Sequence, residues 1–111
     1  MDDRLPTELW VKAHIRRCNA EAIPAVVVRR GDPTGGTVLL KLVQYQVGCR
    51  VLSQVRDLEG RLAWMSALGE APVTEVEADA YIARAVGRDP DLWVVEIESR
   101  DGSHPFEGRA L

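Results

Sequence analysis

Thr37 to Ala67, TVLLKLVQYQVGCRVLSQVRDLEGRLAWMSA, decides the fold. Thr37 to Tyr45 reads as a strand. Gly48 to Arg56 reads as the next, with Cys49, Val51, Ser53 and Val55 on one face and Arg50, Leu52, Gln54 and Arg56 on the other, as the two-residue period of a strand requires. Asp57-Leu58-Glu59-Gly60 is a tight connection, and Arg61 to Ala67, containing Trp64 and Met65, is a further strand. Short turns between consecutive strands make neighbours antiparallel. Upstream, Ala25-Val26-Val27-Val28-Arg29-Arg30 is β-branched and strand-like, and the turn formers Gly31-Asp32-Pro33-Thr34-Gly35-Gly36 join it to Thr37 as a hairpin turn. The expectation is an antiparallel meander.

Helices flank it. Leu5-Pro6-Thr7-Glu8 reads as a helix start, because proline at a first helical position wastes no hydrogen bond and Glu8 suits the positive end of the macrodipole. Val11, His14, Ile15, Cys18 and Ala22 then recur on one helical face, with Trp10 at its edge and Lys12, Arg16 and Asn19 opposite, predicting a helix over 6–21 with Val11, Ile15 and Cys18 buried on the sheet. Downstream, Gly69-Glu70-Ala71-Pro72 breaks the pattern. Thr74-Glu75-Val76-Glu77 is a capping box opening a helix to about Val86, with Gly87 placed as its C-terminal cap. Leu92 to Ser99 is a fifth strand, with Trp93, Val95 and Ile97 inward and Glu96 and Glu98 on the wet face; nothing pins its place in the sheet, so a sheet edge is open to it. The order is α-β-β-β-β-α-β. The fold class is α+β: an antiparallel β-meander of about five strands with two helices packed on one face, in one domain spanning 1–111, with 103–111 a loosely held tail.

Composition supports a folded chain. Apolar residues make up 46% and charged residues 28% of the 111, fractions typical of globular domains, and a domain this long buries roughly 60–70% of its unfolded surface. No run reaches the roughly 20 apolar residues of a membrane span. The start Met1-Asp2-Asp3-Arg4 lacks the basic and apolar regions of a secretory signal, and two cysteines, Cys18 and Cys49, fit reduced thiols in the cytoplasm. Net charge is −3, which weighs against a nucleic-acid module. Residues 1–61 hold ten Lys/Arg against seven Asp/Glu, and residues 62–111 hold four against ten, balances of +3 and −6.

Leu9-Trp10-Val11-Lys12-Ala13-His14-Ile15-Arg16-Arg17-Cys18 and Asp89-Pro90-Asp91-Leu92-Trp93-Val94-Val95-Glu96-Ile97-Glu98, with the length and element order, carry a family likeness. The chain resembles an alphaproteobacterial domain-of-unknown-function family, number 1491, from about Leu5 to Gly102. The resemblance implies a bacterial cytosolic single-domain protein and transfers no catalytic residue.

Candidate chemistry is thin. The glycine-rich loop at 31–37 lacks the lysine of a phosphate loop and leads into a strand, not a helix. His14 and Cys18, four apart on one helix face, can converge, and Cys49 and His104 could complete a tetrahedral metal set, but no C-x-x-C or H-x-x-x-H pair elsewhere anchors it; core cysteines and no cofactor or metal are expected. Cys18 with His14 and Arg17 has the elements of an activated thiolate, yet sits mid-face on an apolar stripe. Glu96 and Glu98 share a strand face, which suits acid–base work only if a pocket splits their pKa values. Lys12, Arg16, Arg17, Arg29 and Arg30 form a basic cluster able to meet phosphates or an acidic protein surface, and Trp93 joins them as a candidate interaction anchor if exposed. The reading is a small non-enzymatic binding or accessory module acting through a protein partner or self-association as a homodimer. A small enzyme or ligand binder using His14, Arg17 and Glu96/Glu98 is the alternative, and weak nucleic-acid binding through the basic first helix is the second.

Overall fold

The structure, a computed structural model, describes residues 5–111, so the Met1–Arg4 start read for its lack of a signal lies outside it. Helix α1 spans Thr7–Ala20, followed by strands β1 (Ala25–Arg29), β2 (Val38–Gln44), β3 (Gly48–Arg56) and β4 (Leu62–Ser66). Helix α2 (Glu75–Arg88), β5 (Trp93–Glu98) and a two-residue β6 (Arg109–Ala110) complete the chain. The predicted capping box holds: the Thr74 hydroxyl accepts from the Glu77 amide at 3.2 Å. Gly87 is not the cap, because α2 continues to Arg88 and ends on an extended Asp89.

The six strands lie in the order β1-β5-β2-β3-β4-β6. The meander survives only in β2-β3-β4, which pair antiparallel in sequence. Strand β5 enters between β1 and β2, antiparallel to the first and parallel to the second, and β6 runs parallel to β4. The sheet is therefore mixed, and β5 is one of its central strands, not an edge. The loop at 31–36 is accordingly no hairpin turn, since its two strands are not neighbours. It wraps the start of β5: Trp93 Nε1 donates to the Asp32 carbonyl at 2.7 Å, and a Cβ at Gly31 or Gly36 would collide with the Asp91 carbonyl and the Trp93 ring. These glycines serve close backbone approach.

The helices do not share a face. Val11, Cys18, Trp10 and Ile15 of α1 pack with Leu40, Leu42, Leu52, Trp64, Val95 and Ile97. Ala78, Ala85, Tyr81 and Ile82 of α2 pack with Leu39, Cys49, Val51 and Leu92. Alternate residues of β2 point into the two clusters, so α1 and α2 cover opposite faces. The reason is legible in β2, where every residue from Val38 to Leu42 is buried; an apolar strand on both sides needs a cover on both sides.

Residues 103–111 are anchored, contrary to the loose tail expected of their polar composition. Phe106 is buried against Trp10 and Trp64, the Trp64 indole donates to the Glu107 carbonyl at 3.0 Å, and β6 pairs with β4. One buried aromatic outweighs the surrounding turn formers. Phe106→Ala is expected to cost about 3 kcal/mol, the low end for removing a buried ring. Urea unfolding checks this, and a loss below about 0.5 kcal/mol, the level of an ordinary surface change, would return 103–111 to a loose tail.

Candidate functional site

Three constellations bear on the candidate residues. The first is built on Lys41, one of two lysines among fourteen basic residues and the single buried Lys or Arg among the described residues. Its strand neighbours Leu40 and Leu42 enter the α1 cluster, so Lys41 projects under α2. There its Nζ meets Glu75 at 2.7 Å, Asp79 at 2.8 Å and Glu96 at 3.4 Å. Glu75 and Asp79 stand one turn apart at the start of α2, where carboxylates suit the helix macrodipole, and Glu96 is the register partner of Lys41 across the parallel β2–β5 pair. Burial opposes the ammonium charge, but the hydrogen bonds it donates to Asp79 and Glu75 and the field of Glu96 override it, and the pKa lies well above the ordinary lysine value. A lysine so held is a cation at physiological pH and has no free electron pair for nucleophilic work. Cys49, on the same face, has its thiol pushed up by burial, with Lys41 offsetting only part.

The second lies on the α1 face. Trp10 and His14 stack with centroids 4.0 Å apart, His14 lies 5.0 Å from Phe106, and His104 meets Trp64 edge-on at 5.6 Å. His14 Nδ1 donates to the Trp10 carbonyl one turn earlier at 2.7 Å. Cys18 is fully buried, its thiol raised by burial and then by Glu21. The structure thus separates the sequence candidates. Cys18 belongs to the α1 cluster and Cys49 to the α2 cluster, with the sheet between them, so the four-residue metal set does not converge. His14 and Arg17 are on α1, whereas Glu96 pairs with Lys41 beneath α2. The sheet divides the proposed acid–base group as well. A depression of about 490 Å³ is lined by the β2–β3 turn and Pro72–Glu75, and none of His14, Arg17, Glu96 or Glu98 reaches it.

The third is the basic cluster. Lys12 and Arg16 rim a groove of about 380 Å³ between α1 and β1, with Asn19 beside them, Ile15 and Val27 on its floor, and Val26 bordering it along the strand. Arg17 pairs with Glu21 at 3.6 Å. Arg29 is structural. Its Nη1 donates to the carbonyls of Pro90 at 2.9 Å and Leu92 at 2.7 Å, tying β1 to the entry of β5. Arg30 pairs with Glu8 at 2.7 Å and lies 6.0 Å over the Trp93 ring. Trp93 itself is 3% exposed, so it is a core residue and no surface anchor. What sequence reasoning missed is Lys41; its signal was a lone charge in VLLKLV, an otherwise unbroken apolar run.

The fold and these constellations define a class: a small α+β domain with a mixed six-stranded sheet, one helix on each face, and a lysine sealed under three carboxylates. The chain belongs to the family described as "Protein of unknown function (DUF1491)", whose model matches residues 5–107. It is similar to the crystal structure of a DUF1491 family protein from Caulobacter crescentus CB15, with 39% identity, TM-score 0.83, and coverage of 96% of this chain and 99% of that one. An NMR structure of a DUF1491 family protein from the same organism matches at 40% identity and TM-score 0.82, covering 96% of each chain. The solution structure of an A. tumefaciens protein matches at 26% identity and TM-score 0.74, covering 88% of each. No curated protein matches the chain. No helix of the described residues is long and apolar enough to cross a membrane.

Two measurements check these sites. Lys41→Met is expected to cost about 3 kcal/mol, the low end for breaking a buried pair, because its carboxylate partners are partly hydrated. Since the folded pKa of Lys41 is raised, its contribution is whole below the ordinary lysine value and is lost only as pH rises through the folded value. Urea unfolding should therefore give the same difference between parent and variant at pH 7 and pH 9. At the tail, the Phe106 amide donates to His104 Nδ1 at 3.1 Å, so that nitrogen must be unprotonated. Burial first, and then the charge of Arg50, hold His104 below 6.5. A depressed histidine supports the fold fully above 6.5 and withdraws that support as pH falls through the lowered value. Protection of the Phe106 amide, corrected for intrinsic exchange, should drop as pH is lowered from 7.5 through the depressed histidine value in the parent and stay flat in His104→Leu.

Proposed function

We propose that this protein is a small non-enzymatic binding module of the cytoplasm, and that its contact surface is the open edge of β1 with the adjoining α1 groove. One observation carries the reading. Among the described residues, strand β1 pairs on one side only, and Val26, Val27 and Val28 are exposed by 57%, 39% and 57%. Three consecutive exposed valines on a sheet edge are what soluble proteins ordinarily cover or interrupt, and an exposed edge is a standing template for strand addition. The reactive groups, by contrast, are engaged internally: Lys41 by its carboxylates, His14 and the thiols in the two cores. Lys12 and Arg16 rim this same groove and supply charge where a partner would arrive.

A photoreactive residue placed at Val28 is expected to give one dominant protein adduct in cells, which Val26→Lys should abolish as an edge gatekeeper. The control is Leu58, fully exposed on the distant β3–β4 turn, from which no such adduct should form. Equal adducts from both positions would remove the edge as the contact surface.

A further inference from the structure

Resting on that reading, we infer that the occupant of the β1 edge is an acidic extended segment of another protein, added as a seventh strand with alternating apolar and carboxylate side chains. The backbone sets the first half of this. The Glu98 amide donates to the Pro24 carbonyl at 3.0 Å, and the register pairs Ala25 with Ile97, Val26 with Glu96 and Val27 with Val95. In an antiparallel ladder, hydrogen-bonded and non-bonded pairs alternate. Pro24 and Val26 therefore direct their backbone groups to β5, while Ala25 and Val27 direct theirs outward. The register slips between Val27 and Arg29, so the regular edge on offer runs from Ala25 to Val27.

Side-chain alternation sets the second half. Residues of an added strand on the α1 side would enter the groove floored by Ile15 and Val27 and rimmed by Lys12 and Arg16. A glutamate fits both requirements, laying its stem on the floor and its carboxylate at the rim. Residues on the other side would lie beside the exposed Val26, where a β-branched side chain makes a favourable cross-strand pair. A second copy is the poorer occupant. Antiparallel pairing of two β1 edges about a two-fold normal to the sheet sets both α1 helices on one face, bringing Lys12 and Arg16 of each copy towards the same residues of the other. A single-stranded nucleic acid would want exposed aromatic platforms, and the tryptophan nearest this edge, Trp93, is buried.

The test uses the whole protein, amide NMR and two capped octapeptides, one alternating valine with glutamate and one alternating valine with lysine. The glutamate peptide is expected to protect the Ala25 and Val27 amides, to weaken with added salt, and to bind about tenfold tighter than the lysine peptide. Lys12→Glu with Arg16→Glu should reverse the preference between peptides, and these exposed changes leave the core untouched. Val27→Pro, which removes an outward donor, should lose the glutamate peptide. Equal binding of both peptides, no binding of either, protection at Ala25 and Val27 by self-association alone, or their protection by an oligothymidylate instead of the peptide would each overturn the acidic strand. Edge-dependent cross-linking from Val28 together with failed peptides would leave the contact surface standing and remove only this occupant.

Discussion

Strand β5 must reach β2 from the far end of the chain and lie parallel to it, and the rest of the molecule is arranged around that pairing. Parallel neighbours cannot be joined by a tight turn; they need a crossover that packs back on the sheet. The connection from β2 to β5 runs through β3, β4 and α2, and α2 supplies the cover for one face. Helix α1, arriving from the other end of the chain, is left the opposite face. The junction is secured at three points: Trp93 in the glycine loop at 31–36, Arg29 on the Pro90 and Leu92 carbonyls, and Lys41 on Glu96 within the strand pair itself.

Lys41 also explains the uneven charge of the chain. It belongs to the +3 first half, and its three carboxylate partners belong to the −6 second half. Part of the asymmetry is thus neutralised within the fold, pairing the halves instead of steering an outside ligand. A buried ion pair is a poor source of net stability compared with well-packed apolar residues in place of all its partners, even though removing one partner alone is costly. Its effect here is positional. A sheet strand buried on both faces could slip by two residues and keep its pattern, but only one register brings Nζ to Glu75, Asp79 and Glu96 together.

Much of this was legible in the residues and part was not, for separable reasons. Both helices, the strands from Ala25 to Ser66, the capping box at Thr74 and the burial of Val11 and Cys18 follow from local pattern, which sequence carries directly. Strand order does not, because a period of two reads the same whether the neighbour is parallel or antiparallel. The clue to a central β5 was its run Trp93-Val94-Val95 with Ile97: reading Glu96 and Glu98 as a wet face passed over Val94, which is buried between them and Leu92. The two-sided cover follows from the same run, since a strand apolar on both faces calls for helices on both. In the tail, polar composition hid one aromatic residue able to anchor nine. Of the candidate interaction residues, Lys12 and Arg16 do share a groove, while Trp93 and Arg29 were conspicuous for structural reasons, because core tryptophans and interface tryptophans look alike in a sequence.

The two edges of the sheet are treated differently. At β4, the chain's own C-terminal segment covers the edge with β6, and Asp57 meets Arg109 across it at 3.5 Å. At β1 the described chain offers only a bulge and the tethered Arg29 at one end, leaving Ala25 to Val27 regular and bare. A protein that commits a nine-residue segment to one edge has the means to cover an edge, so an uncovered valine strand beside a basic groove is better understood as a reserved place than as neglect. That contrast within one sheet, more than the exposure of any single valine, points to β1 as the side from which this molecule meets others.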